Sequence, residues 1–232
     1  SPMLLLYRRR AFLWRNPSHP FAQCDVLSSN SSVTFRSPSS GLLCALVANH
    51  VVLQRIIFPG AGYLEMARAA SEATPLHGVC FLQPLAIEAP GLSIECTVVD
   101  GRFEVLSGGG TDAIDSATLH CSGATGGGAN VWQRVDHASL RLSCNPADVE
   151  ALYAGFHMVG LQYGPGYRTL VRAWASANTA SATLRSRSTN EGTQVHPADL
   201  DDALCTSTAM ASSGADGETR LPFAVDDAQL QG

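Results

Sequence analysis

The sequence contains no lysine: all 15 basic residues are arginine, a skew that reads as coding bias in a chain so rich in alanine and glycine. Charge of either sign is scarce, 15% of residues against 45% hydrophobic, which is lean for a fully solvated surface and predicts that some faces meet other protein. The balance is acidic, net −5 with a pI near 5.7, so the basic face that nucleic-acid binding requires is missing. Arg8, Arg9 and Arg10 form the only basic run and read as solvated linker. No stretch approaches the roughly 20 apolar residues of a membrane span, and "MLLLY" is too short for a signal-peptide core and has its arginines on the wrong side. Neither export nor membrane insertion is implied, and a cytoplasmic location is expected.

Seven cysteines (Cys24, Cys44, Cys80, Cys96, Cys121, Cys144 and Cys205) form no C-x-x-C pair, so zinc-knuckle and redox motifs are excluded and the thiols read as reduced. There is no H-E-x-x-H pattern, and "SGGGT" and "GATGGGAN" lack the Lys-Ser/Thr ending of a phosphate loop. Both glycine runs read as plain loops. His19, His77, His120, His137 and His157 have no ligand-like spacing, and no metal or bound cofactor is expected.

What is present is globular. At 232 residues the chain can bury a real core as one large domain or two small ones. Short segments with strand character, "SVTFR", "LLCALV" and "VVLQRIIF", are separated by Ser, Asn, Pro and Gly clusters. Pro59 then ends a strand, and "GAGYLEMARAASEA" has good helix formers with small residues on several faces, the composition of a helix enclosed by packing. "CFLQPLAIEAP", "LSIECTVVD", "GRFEVLS" and "DSATLHCSG" read as further strands. One helix wrapped by an antiparallel sheet fits this order.

The order then repeats. "NPADVEALYAGFHMVG" predicts a capped helix, "LQYGPGYRTLVRAWAS" a turn running into a strand, and "ASATLRS" another strand. "TQVHPADLDDALCTSTAMAS" then mirrors "RIIFPGAGYLEMARAASE": strand end, proline, small residue, helix. Pro59 and Pro197 anchor the two copies. The expected division is an upstream linker over 1–18, a first half over 19–128, an inter-half linker over 129–144 and a second half over 145–232, the last shorter than a full copy.

A helix start that follows Pro-Gly without a side-chain cap leaves backbone amides free for a ligand carbonyl, and Gly60, Ala61 and Gly62 keep that start sterically open. Asp199, Asp201 and Asp202 crowd the first turn of the second helix, where acids are favoured by the dipole. Asp201, flanked by Leu200 and Leu204, is expected to point inward while Asp199 or Asp202 faces water. His50 from one half and Asp201 from the other would make a general base and a general acid across a shared cleft, provided burial raises the carboxyl's pKa.

"HVVLQRIIFPGAGYLEMA", "GLQYGPGYRTL" and "HPADLDDALC", in this order, resemble the dehydratase domains of modular polyketide synthases, related to those of animal-type fatty acid synthases. "YRRRAFLW" followed by His19-Pro20 is similar to the linker leading into such a domain, so the likeness covers nearly the whole chain. The first motif, His-x3-Gly-x4-Pro, has His50 and Pro59 in place, with Gln54 where glycine is usual. Tyr163, Gly164 and Pro165 keep the Tyr-Gly-Pro motif intact. The third motif resembles "HPALLDAALQ", matched by His196, Pro197, Ala198, Leu200, Asp201, Ala203 and Leu204; Asp199 replaces a leucine and Cys205 the usual Gln or His.

The resemblance implies an α+β double hotdog fold, two sheets each wrapped on a helix with the site at their junction. It implies loss of water from a 3-hydroxyacyl thioester carried on the phosphopantetheine of acyl carrier protein, giving a trans 2-enoyl thioester. His50 would take the α proton, Asp201 would protonate the hydroxyl, the Gly60 amide would polarise the thioester carbonyl, and Pro59, Tyr163, Gly164 and Pro165 would shape the substrate site. His196 would supply a structural hydrogen bond. A chain of this kind works beside other synthase domains, with a homodimer possible and Arg55 or Arg168 steering the carrier. Cys205 is a poorer hydrogen-bond partner for Asp201 than Gln or His, and Asp199 is expected to push up the pKa of Asp201 by its charge. The alternative readings are a silent scaffold of the same fold, which Gln54 and Cys205 favour, or a related isomerising or cyclising domain.

Overall fold

The computed structural model of the chain describes residues 19–28, 32–71, 74–109, 117–126, 134–210 and 223–230. The linker expected over 1–18, with its arginine run, lies outside them, as do residues 110–111 and 127–130 of the two glycine-rich runs; contrary to the loop reading, Ser107–Gly109 and Gly123–Thr125 of those runs are strand.

The chain begins with the hairpin β1 (Cys24–Ser28) and β2 (Ser32–Pro38), helix α1 (Leu42–Val47), the short strands β3 (Val51–Val52) and β4 (Arg55–Ile56), and helix α2 (Gly60–Ala70). Four strands follow: β5 (Leu76–Phe81), β6 (Leu92–Val99), β7 (Arg102–Gly109) and β8 (Thr118–Thr125). Then come α3 (His137–Leu142), β9 (Asn145–Ala147), α4 (Val149–Met158), a 3-10 turn over Pro165–Tyr167, the hairpin β10 (Leu170–Ala175) and β11 (Ala180–Leu184), α5 (Pro197–Cys205) and β12 (Ala224–Ala228).

Seven strands form one antiparallel sheet in the order β1-β2-β6-β7-β8-β5-β12. Its inner face carries alternate residues such as Ile94, Cys96, Phe103 and Val105, all buried, as a half-buried strand with period two must. Against it lies α2, with eight of its eleven residues buried; Leu64, Met66 and Ala67 pack into that core. Small residues make this possible: a Cβ on Gly62 would fall 2.9 Å from the Phe58 ring. A second sheet, β11-β10-β9, faces α4 and α5, with Tyr153, Phe156, Tyr167 and Leu170 in its core.

The two units meet along helices α2 and α5 and along one strand pair. β5 follows α2, β12 follows α5, and these equivalent strands pair antiparallel with Val79 opposite Val225, the register expected of two similar halves meeting about an approximate two-fold axis. This is the double hotdog arrangement expected of the sequence.

Three local readings change: "CFLQPLAIEAP" is strand only at Cys80 and Phe81 and continues as turn and loop. "LLCALV" is not a strand but α1, burying Leu43, Leu46 and Val47 at helical spacing; a short apolar run does not distinguish the two by pattern alone. "VVLQRIIF" is not one strand but a tight hairpin, because Leu53 (φ 48°) and Gln54 (φ 65°) both take the left-handed conformation between β3 and β4. Two consecutive positive φ values are the type I′ pattern, which favours Asn-Gly. This explains why glycine suits position 54.

Glu65, in the middle of α2, is fully buried. It accepts from His19 Nε2 (3.0 Å), from Arg68 Nε (2.8 Å) and Nη2 (2.9 Å), and from the backbone amide of Gln194 (2.6 Å), two residues before the His196 cap of α5. Burial raises its pKa, but these donors outweigh burial and hold the carboxyl below its ordinary range.

Two outcomes are expected. Glu65→Gln leaves a buried histidine and arginine without their counter-charge and should lower unfolding stability by about 3–5 kcal/mol in urea titrations. Because the folded pKa of Glu65 is depressed, its contribution is complete above the ordinary carboxylate range and lost as pH falls through the folded value; the deficit of the Gln variant should therefore shrink in acid. Gln54→Gly relieves one left-handed residue and should raise stability by about 1 kcal/mol in the same measurement, since the backbone amide that donates to Gln162 Oε1 (2.8 Å) is retained.

Candidate active site

Helix α1 ends at Val47, whose carbonyl accepts from the His50 amide (2.8 Å), and the tight β3–β4 hairpin brings Ile57 back beside His50. His50 Nδ1 lies 2.7 Å from the Ile57 carbonyl oxygen. A carbonyl only accepts, so Nδ1 carries a proton, and in the neutral ring it is Nε2 that keeps the lone pair. The ring sits between Tyr163 and Tyr167, with centroids 5.3 Å away in each case, and is 3% exposed.

Nε2 faces Asp201 Oδ1 at 3.8 Å. Asp201 is held there by α5, which begins at Pro197 with His196 as its cap, Nδ1 accepting from the Ala198 amide (3.2 Å). Burial raises the pKa of Asp201, the positive charge of a protonated His50 and the Tyr163 hydroxyl act against it, and the neighbouring Asp202 adds to the rise; the net direction is up. Its Oδ2 is buried without a hydrogen-bond partner among the described residues.

His50 and Asp201 share the wall of a cavity of about 430 Å³ with Gly60, Tyr163, Cys205 and the apolar side chains of Phe58, Phe81, Leu161 and Phe223. Pro59 caps α2 without any side-chain bond, and the helical ladder starts with the amides of Gly62 and Tyr63 donating to the Pro59 carbonyl. The Gly60 amide at this wall stands outside that ladder, at the positive end of the helix.

The structure therefore brings His50, Gly60, Tyr163, Asp201 and Cys205 to one cavity. Pro59, Gly164 and Pro165 are not among the residues that line this cavity. Pro59 ends the strand and starts α2. The Gly164 amide donates to the Asn49 carbonyl (2.9 Å), and a Cβ there would fall 2.1 Å from Asn49 Oδ1, so this glycine lets the chain run hard against the residue before His50. Pro165 opens the 3-10 turn that carries Tyr167. Gln54 is likewise outside the cavity, and His196 and Pro197 shape the start of α5.

Three charge readings are revised. Asp202 does not face water: it is 1% exposed. Asp199 is bound by Arg187 Nε at 2.7 Å, and the carboxylate that pushes Asp201 up is Asp202. Cys205 lies 3.5 Å from the Tyr163 hydroxyl, within reach of a hydrogen bond to the sulfur. Burial, reinforced by Asp201, raises the thiol's pKa well above the ordinary range and leaves it neutral. The pattern of the third motif carried a usable signal for Asp202, a carboxyl where "HPALLDAALQ" has alanine. No comparable signal pointed to the Ile57 carbonyl, whose role depends on the hairpin's geometry. Among the described residues no cluster of His, Cys, Asp and Glu is arranged to hold a metal, and no helix is long and apolar enough to cross a membrane.

Comparison with known proteins agrees with this geometry. Two family profiles match, one described as the polyketide synthase dehydratase domain over residues 19–107 and one as the polyketide synthase dehydratase N-terminal domain over residues 134–232. Polyketide synthase ThaG of Burkholderia thailandensis is 34% identical over 74% of this chain, and mycoketide-CoA synthase of Mycobacterium tuberculosis 30% identical over 89%. The chain spans only 3% and 5% of the length of those proteins. Among solved structures, the erythromycin dehydratase superposes with a TM-score of 0.78 at 22% identity, covering 92% of this chain and 81% of that one. The dehydratase domain from the CurK module of curacin polyketide synthase gives 0.78 at 21% identity, covering 91% and 84%. With both profiles in chain order, His50 inside the first match and Asp201 inside the second, the chain belongs to the polyketide synthase dehydratase domains.

Proposed function

We propose that this chain removes water from a 3-hydroxyacyl thioester presented on acyl carrier protein, giving the 2-enoyl thioester, as one domain of a larger polyketide synthase. The observation that carries this reading is the facing pair: His50 Nε2 with a free lone pair, 3.8 Å from the carboxyl of Asp201, both on one apolar cavity.

The pair divides the reaction by protonation state. Nε2 of His50 takes the α proton; the electron pair of that C–H bond forms the C=C bond as the C–O bond breaks. The hydroxyl leaves as water with the proton of Asp201, whose raised pKa keeps it a donor. The step ends with His50 protonated and Asp201 ionised, and transfer back across the gap restores the starting state. The amide of Gly60 is placed to stabilise the negative charge that develops on the thioester oxygen as the α proton leaves. No bound cofactor takes part; the phosphopantetheine arm arrives with the carrier protein.

Crystal structures of inactive CurK dehydratase mutants, one with an aspartate and one with a histidine replaced, support the choice of this residue pair. Gln54 and Cys205, the departures that would favour a silent scaffold, do not remove a proton-transfer group. Gln54 lies in the exposed hairpin turn, and Cys205 sits beside Asp201 as a neutral thiol.

Mass spectrometry of 3-hydroxyacyl pantetheine thioesters incubated with the chain should show loss of one water. His50→Ala and Asp201→Asn, each confirmed folded, should each slow that loss by at least about 100-fold. Activity should also fall as pH rises through the pKa of Asp201, because only the protonated carboxyl serves as acid. Turnover that survives both substitutions would overturn the assignment.

A further inference from the structure

Asp202 is a buried carboxyl that the reaction above does not use. It faces away from the cavity: consecutive residues of a helix point about 100° apart, so while Asp201 looks at His50, Asp202 looks at the start of β10 and at α4. There its Oδ2 accepts from the Thr169 amide (2.5 Å), the Thr169 hydroxyl (2.7 Å) and the Tyr153 hydroxyl (2.8 Å). The Tyr153 oxygen in turn accepts from the Leu170 amide (3.1 Å). The Thr169 amide, just before β10, binds Asp202 directly, and the Leu170 amide at the start of β10 holds the Tyr153 oxygen, so the anchor is tied to the sheet. The other oxygen, Oδ1, is buried with no hydrogen-bond partner, an arrangement costly enough to need a return.

Resting on the reading of Asp201 as the proton donor, we propose that Asp202 is a positioning residue for it, its carboxylate fixing both the rotation of α5 and the charge beside the donor. A helix locked at residue 202 cannot turn about its axis without breaking bonds to Thr169 and Tyr153, so Asp201 stays pointed at His50. Burial raises the pKa of Asp202 and outweighs the three donors converging on its Oδ2, which favour the ionised form. The charged and titratable groups around the pair are His50 and Tyr163 across the cavity, Tyr153 from α4, Tyr167 from the 3-10 turn, Cys205 one turn along α5, and Asp199 paired with Arg187. Of the cationic groups among these, Arg187 is paired with Asp199. When Asp202 is ionised, its charge one residue from Asp201 favours the protonated form of Asp201, against the charge of a protonated His50.

The test is a carbon-13 NMR titration of the folded chain labelled at aspartate carboxyls, with the Asp201 resonance assigned by its loss in Asp201→Asn. In Asp202→Asn the amide oxygen still accepts from Thr169 and Tyr153 but the charge is gone. The Asp201 midpoint should then move to lower pH, and the alkaline limb of the water-loss rate should move with it. Asp202→Ala, which also loses the anchor, should in addition lower kcat more than it changes KM; if that variant does not fold, the Asn variant alone decides the charge. An Asp201 midpoint unchanged in Asp202→Asn overturns the inference even if the chain dehydrates its substrate. A midpoint that moves in a chain that dehydrates nothing keeps the coupling and overturns the reading of the site.

Discussion

The buried carboxylate of Glu65 is the contact on which the geometry of the site depends. α2 supplies the Gly60 amide and α5 supplies Asp201, and the two helices belong to different sheets. Glu65 binds the His19 ring at the start of the described chain, the Arg68 side chain on its own helix and the Gln194 amide that leads into α5. An ionised carboxylate in an apolar core is costly unless every oxygen is satisfied. That requirement makes the three segments move as one, and the antiparallel pairing of β5 with β12 ties the same two units together on the far side.

Within this frame the two side chains proposed to react are set by different devices. His50 is made a base by one hydrogen bond: the Ile57 carbonyl fixes the tautomer, and two tyrosine rings hold the plane of the imidazole. Asp201 is suited to the part of acid by burial first and by the carboxyl of Asp202, which raise it against the Tyr163 hydroxyl and the charge of a protonated His50. A facing imidazole and carboxyl would ordinarily form an ion pair. The low-dielectric surroundings keep the neutral forms competitive, which is the condition for using one as base and the other as acid.

The departures from the family motif turn out to act at different levels. Gln54 affects the backbone of a two-residue turn and leaves the cavity alone. Cys205 does stand on the cavity wall, as a neutral thiol against Tyr163, so the polarity around Asp201 is lower than a Gln or His would give. Asp202, whose departure is the least conspicuous in sequence, has the largest structural consequence, because a carboxyl in place of alanine recruits Thr169 and Tyr153 to the back of α5.

The order strand, proline, small residue, helix was legible twice in the sequence because proline ends a strand and small residues let a helix be enclosed, both local effects. The motifs around His50, Tyr163 and Asp201 were legible for the same reason: their residue types and spacing are fixed along the chain. What the sequence left open was decided by contacts between distant segments. Whether "LLCALV" coils or extends depended on the core it packs into; which of three aspartates faces the cavity depended on Thr169, Tyr153 and Arg187 claiming the other two. Pro59, Gly164 and Pro165 are read correctly as special positions from sequence alone, but only the tertiary structure separates residues that line a cavity from those that bend the backbone behind it. The sequence by itself determined which groups are available for chemistry. The folded arrangement decided their protonation and direction, because both depend on burial and on partners more than 100 residues away in the chain, as with His50 and Asp201.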